Sequence, residues 1–155
     1  MTANTYLKSR LAAAAVLAVA ATFAAVFAPV TAHAQPELIE VTPVEGASLT
    51  ELPEFFRLCF SEAVKTETKE DWGFNIRPPD GSGVGLRTVF GTDATCVDVF
   101  PGVPAEPPPG IWSLSWLVHA QSDGSEGSGE LRYQIGDLQP GDTPLATRKI
   151  STAGG

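Results

Sequence analysis

Proline and glycine divide this chain after residue 35 into short stretches whose apolar residues recur at every second position. Stretches 37–41, 55–60, 73–77, 84–90, 95–100, 111–118 and 130–135 each run five to eight residues between turn signals. Pro78-Pro79-Asp80-Gly81, Pro101-Gly102 and Pro107-Pro108-Pro109-Gly110 are the strongest of those signals. Within 55–60, Phe56, Leu58 and Phe60 share one face, as a half-buried strand requires. The helix candidate, 61–72, crowds Lys65, Glu67, Lys69 and Glu70 together without an apolar stripe, so it reads as a polar connection. Seven short strands of period two predict an all-β domain, an antiparallel sandwich or barrel.

Residues 1–34 read differently. Lys8 and Arg10 precede a long apolar run that ends in Ala32-His33-Ala34. A positive start, an apolar middle and a small-x-small exit are the parts of a cleavable secretory signal. Cleavage after Ala34 makes Gln35 the first mature residue; the alternative exit Val30-Thr31-Ala32 would make it His33. No second apolar run follows, so no membrane insertion is expected once the signal is removed. The domain is then 35–137 and the protein periplasmic or secreted. Residues 138–155 have little to bury and are expected to form a disordered tail.

Charge narrows the partners. The whole chain has 10 basic and 18 acidic residues. Loss of Lys8 and Arg10 leaves 8 against 18, a net −10. Nucleic-acid phosphates need lysine and arginine to displace their counterions, and an anionic membrane surface repels such a chain. Neither is an expected partner.

Two cysteines remain, Cys59 and Cys96, in a compartment that permits disulfides. A structural bridge, a metal-thiolate pair and two buried free thiols are the alternatives. Alternation favours the bridge. With Phe56, Leu58 and Phe60 facing the core, Cys59 points outward beside Arg57. With Val97 and Val99 facing the core, Cys96 points outward beside Asp98. On neighbouring strands, about 5.5 Å between their Cα atoms would suit a disulfide.

Catalytic parts are missing from the pattern. There is no phosphate loop, no nucleophile elbow, no Cys-x-x-Cys, and His119 is the one histidine beyond the signal. The chain does not read as an enzyme.

Four segments resemble the CopC-like family of periplasmic copper-resistance proteins. Gln35-Pro36-Glu37-Leu38 through Thr42-Pro43 to Gly46 is similar to the family's His-Pro-x-Leu opening. Leu58-Cys59-Phe60-Ser61-Glu62-Ala63-Val64 is similar to its Leu-x-Phe-Ser-Glu-x-Val strand, and Pro109-Gly110-Ile111-Trp112-Ser113-Leu114-Ser115-Trp116 to its Pro-Gly-x-Tyr-x-Val-x-Trp strand. Ser122-Asp123-Gly124-Ser125, with Gly129 and Tyr133, resembles the loop and strand that follow. The resemblance implies an Ig-like Greek-key β-sandwich of about seven strands.

It also implies a copper role, with the ligands changed. The family holds Cu(II) with an N-terminal His and the Asp and His of the late loop, nitrogen and oxygen donors that suit a tetragonal ion. Here Gln35 opens the mature chain, Asp123 is kept, and Ser125 stands where the loop His belongs. Met1 is the one methionine, so the Met-rich Cu(I) stretch of some relatives is absent. N-terminal glutamine readily cyclises to pyroglutamate, which removes its amine as a ligand. His119 is either a third donor or a plain strand residue; His33 would join only if cleavage follows Ala32. The expectation is a weak or degraded Cu(II) site at Gln35, Asp123 and His119, with a copper ion or an envelope copper-transport protein as partner. The alternative is a metal-free sandwich that binds another envelope protein.

Overall fold

The computed structural model describes residues 35–102, 104 and 106–146. Residues 1–34, where the signal and His33 are expected, and residues 147–155 of the expected tail lie outside the described residues. Eight strands follow in order: β1 Leu38–Thr42, β2 Ser48–Leu49, β3 Phe56–Phe60, β4 Trp72–Arg77, β5 Leu86–Phe90, β6 Cys96–Pro101, β7 Gly110–His119 and β8 Glu126–Ile135. One sheet has the order β1-β3-β6-β5 and the other β2-β8-β7-β4. Only the β5–β6 and β7–β8 connections are hairpins within one sheet; the rest cross between sheets, as in a Greek-key sandwich. Residues 61–71 contain no helix, and Val64 makes one isolated bridge to Ala120.

The period-two pattern is what fills the interior. Phe56, Leu58 and Phe60 of β3 and Val97 and Val99 of β6 face Trp112, Leu114, Trp116 and Val118 of β7 and Leu131, Tyr133 and Ile135 of β8. Phe56 packs on Tyr133 with ring centroids 4.9 Å apart, and Phe60 meets Trp116 edge-on at 5.1 Å. Each such side chain, fully buried, contributes about 1.5–3 kcal/mol through the hydrophobic effect. The polar ends of Tyr133 and Trp112 are satisfied, whereas the buried Trp72 Nε1 has no hydrogen-bond partner among the described residues. The Tyr133 hydroxyl donates to the Pro43 carbonyl at 2.9 Å, and Trp112 Nε1 donates to the Pro108 carbonyl at 2.9 Å.

Two strands depart from the expected boundaries. β2 is too short for alternation to reveal; it pairs parallel with the end of β8, Ser48 opposite Gln134. β8 begins at Glu126 rather than 130. Residues 126–129 lie outside the expected stretch 130–135; Gly127 and Gly129 sit there on the strand face of Leu131, Gly127 buried and Gly129 exposed beside Trp116. A Cβ at Gly129 would lie 2.9 Å from the Trp116 indole, and one at Gly127 would collide with the Pro36 carbonyl oxygen. The glycines make room for their neighbours rather than for a turn.

Cys59 and Cys96 form a disulfide on the outer face of the first sheet. They stand directly opposite one another in the β3–β6 ladder. The Phe60 N–H bonds the Thr95 carbonyl at 2.8 Å, which makes Cys59 and Cys96 a non-hydrogen-bonded pair, the more closely spaced kind in an antiparallel sheet. Their Cα atoms are 4.1 Å apart, closer than the 5.5 Å expected for a general pair.

Candidate functional site

The β7–β8 hairpin places His119 and Glu126 at one end of the second sheet. His119 closes β7 and Glu126 opens β8, and the two are cross-strand partners. Six residues join them in a tight loop. Ala120 N–H bonds the Ser125 carbonyl, Gly124 N–H bonds the Ala120 carbonyl, and Gln121 N–H ties the loop to the Ala63 carbonyl. Asp123 Oδ1 accepts the Ser125 N–H at 2.8 Å, a local turn bond of the kind aspartate favours. Ser122 donates to Glu62 Oε2 at 2.6 Å.

His119 is half-buried, and its ring is oriented. Nδ1 lies 2.9 Å from the Asp71 carbonyl oxygen, which also accepts the His119 backbone N–H at 3.0 Å. A carbonyl only accepts, so Nδ1 carries the proton. Nε2 of the neutral ring is then the nitrogen with a lone pair. It points toward Glu126, whose Oε2 is 3.6 Å away. Asp71 itself is held by Thr68: the Thr68 hydroxyl and N–H both donate to Oδ2, at 2.7 and 3.1 Å, and keep its carboxyl below the usual carboxylate range.

Residues 35–37 lie close to the start of β8. Glu37 N–H bonds the Ser61 hydroxyl and the Glu37 carbonyl accepts the Ser61 N–H, which fixes the segment before β1. Pro36 is buried against Gly127 next to Glu126, and Gln35 is exposed just before it. The structure therefore pairs His119 with Glu126, a residue that sequence reasoning missed. Cross-strand register was the missing signal, since a six-residue loop sets 119 opposite 126. Among the described residues, no group of three or more His, Cys, Asp or Glu side chains is arranged to hold a metal. Cys59 and Cys96 are spent on each other.

A family model for the CopC domain matches residues 38–136, most of the described chain. The chain belongs to the CopC domain family. Two solved structures share the fold of this CopC domain. CopC from Methylosinus trichosporium OB3b superposes with a TM-score of 0.55 at 16% identity, covering 65% of this chain and 93% of that one. PcoC, a methionine-rich copper resistance protein from Escherichia coli, superposes at 0.51 with 24% identity, covering 66% and 99%. A search of curated protein sequences finds no significant match. Among the described residues, no helix is long and apolar enough to cross a membrane.

Proposed function

We propose that this CopC domain is an extracytoplasmic copper-handling protein with a weak Cu(II) site built on His119. The observation that carries the reading is the oriented ring: Nδ1–H bound to the Asp71 carbonyl, Nε2 directed at Glu126. Metal-binding histidines commonly donate the second ring N–H to a carbonyl, which fixes the tautomer and turns the other nitrogen toward the ion. An imidazole and a carboxylate are donors that Cu(II) accepts. Asp123, in the connecting loop, and Gln35, at the neighbouring strand start, are the further positions from which oxygen or amine donors would come. Asp123 already has Oδ1 engaged by Ser125, and cyclisation of Gln35 would remove the amine. A pair of donors, His119 and Glu126, holds copper only loosely. The reading includes no catalytic step.

Copper titration of mature protein, its first residue verified by mass, is the test. The expected result is weak binding with one imidazole nitrogen in the electron paramagnetic resonance spectrum, lost in His119→Ala and weakened in Glu126→Gln and Asp123→Ala. Stoichiometric sub-nanomolar binding, or binding indifferent to His119→Ala, would sink the reading. The mass also tests export: it should match a chain beginning at Gln35 and lighter by one ammonia.

A further inference from the structure

A sandwich has four edge strands, and this one protects them unequally. β1 is guarded by Pro36 and Pro43 at its two ends and by a register irregularity between Leu38 and Glu40. β2 is two residues long. Short strands, prolines and bulges are the ordinary means of keeping an edge from pairing. β4 runs six residues, and the centre of its outward face, Gly73 and Asn75, carries no charge. β5 has none of those protections.

The hydrogen-bond parity of β5 decides what its edge presents. Gly91 N–H bonds the Cys96 carbonyl and Gly102 N–H bonds the Gly85 carbonyl, so 85, 87, 89 and 91 are the residues that bond β6. The main-chain groups of Leu86, Thr88 and Phe90 therefore point to the free side. Among the described residues nothing bonds them. Their side chains turn inward, and Phe90 is held there by Trp72, ring centroids 5.3 Å apart.

The outward side chains beside this open edge are Arg87 and Val89. Val89 is 44% exposed, one of three large apolar side chains exposed among the described residues. The Arg87 guanidinium lies 4.1 Å above the Phe100 ring and makes no ion pair among the described residues. A cleft of about 380 Å³ lined by Leu86, Arg87, Phe100 and Glu54 opens at one end of β5. Another of about 200 Å³, lined by Val89, Phe90, Gly91 and Cys96, opens at the other.

We infer that β5 is a docking edge for an extended segment of another protein, added antiparallel, with a carboxylate opposite Arg87 and an apolar side chain opposite Val89. The added strand bonds the free groups of Leu86, Thr88 and Phe90. That parity makes the positions opposite Arg87 and Val89 the closely spaced pairs, where outward side chains touch most. Main-chain bonds supply affinity and the two clefts select alternate side chains, the pattern of strand addition. Charge chooses the occupant. An arginine stacked on Phe100 that makes no ion pair among the described residues, even with Glu54 in the same cleft, on a chain with a large acidic surplus, marks where a carboxylate is welcome. A second copy fits badly: two-fold pairing at Thr88 would set Arg87 against the other copy's Val89, leave both arginines without an acid opposite, and bring two strongly acidic chains together. This inference stands whether or not His119 binds copper.

The test selects random displayed peptides on the full mature protein, with Thr88→Pro as counter-selection. Proline at 88 removes an N–H that faces solvent and leaves the β6 ladder intact, so the fold should persist. Selected peptides should carry Asp or Glu two positions from an apolar residue, and bind Thr88→Pro at least about tenfold more weakly. Arg87→Glu should shift the selection toward Lys or Arg. In the complex, amide exchange should slow at Leu86, Thr88 and Phe90, and little at Arg87 and Val89. Failure to recover any peptide sensitive to Thr88→Pro overturns the inference. So does a Thr88-dependent dimer seen by sedimentation, or binding unchanged by Arg87→Glu.

Discussion

The two sheets are secured on opposite sides. The first sheet is braced on its outer face, by the Cys59–Cys96 bond, by the Arg57 guanidinium holding both Asp98 oxygens at 2.7 Å, and by Phe55 stacked near Phe100 at 5.5 Å. The outer face of the second sheet carries no such crosslink: Gly73, Ser115 and Ser128, with Leu117 and Glu130, border an open depression of about 600 Å³. Its bracing is internal, where Trp112 and Tyr133 reach backbone carbonyls and Gly127 and Gly129 admit Pro36 and Trp116. One architecture thus uses two devices: side-chain bonds across neighbouring strands, and backbone thin enough to let large rings approach.

Breaking the disulfide should have the largest effect. It closes a loop of sequence separation 37, and chain entropy assigns such a crosslink about 3 to 4 kcal/mol. Paired Cys59→Ser and Cys96→Ser changes, or reduction, should lower the thermal midpoint clearly. An unchanged midpoint would mean that the outer brace is dispensable. Labelling of denatured, unreduced protein should find no thiol.

The internal device is tested by Gly129→Ala. Its Cβ would sit 2.9 to 3.0 Å from three atoms of the Trp116 indole, which is itself packed on Phe60. Overpacking of this kind costs about 1–3 kcal/mol. Denaturant unfolding and the Trp116 fluorescence should both report it. If stability is unaffected, the glycines of β8 are not what seats the ring.

Acid should touch both sheets alike. Asp93 accepts the Thr95 N–H in the turn leading to β6, and Asp71 accepts the Thr68 hydroxyl and N–H in the turn leading to β4; both carboxyls are held below the usual range. Depressed values mean that the stabilisation is complete above the unfolded-state pKa of about 3.9 and is lost as pH falls through the folded values. The Thr68 and Thr95 amide resonances should stay constant down to about pH 4 and move together below it. A response near neutrality would contradict the assignment.

The smallest effect belongs to Arg57 and Asp98. Their geometry is bidentate, but the side chains are 49% and 21% exposed, and exposed pairs add little in water and less in salt. A double-mutant cycle should give a coupling far below the effect of the disulfide. A coupling as large as the crosslink's would make the outer face one network rather than a bond with ornaments.

Much of the core was legible in the chain, because strand alternation is local: Phe56, Leu58 and Phe60 announce their face without reference to any partner. The disulfide followed from the same arithmetic, since two outward cysteines had only each other. The His119 site was legible in half. His119 as a candidate donor was visible, but the choice of Nε2 depends on the Asp71 carbonyl, 48 residues away in sequence. Glu126 became a neighbour only through the register of β7 on β8.

By itself, then, the amino-acid order determined the all-β class, the inward and outward faces and the crosslink, all properties of residue type and of spacing along one strand. Tertiary structure decided that Gly127 and Gly129 lie inside a strand, that Ser48–Leu49 caps the second sheet, that Glu126 faces His119, and that β5 is left open. Those depend on which strands lie side by side and in what register, and register is set by loop closure and by the fit of large rings against bare backbone.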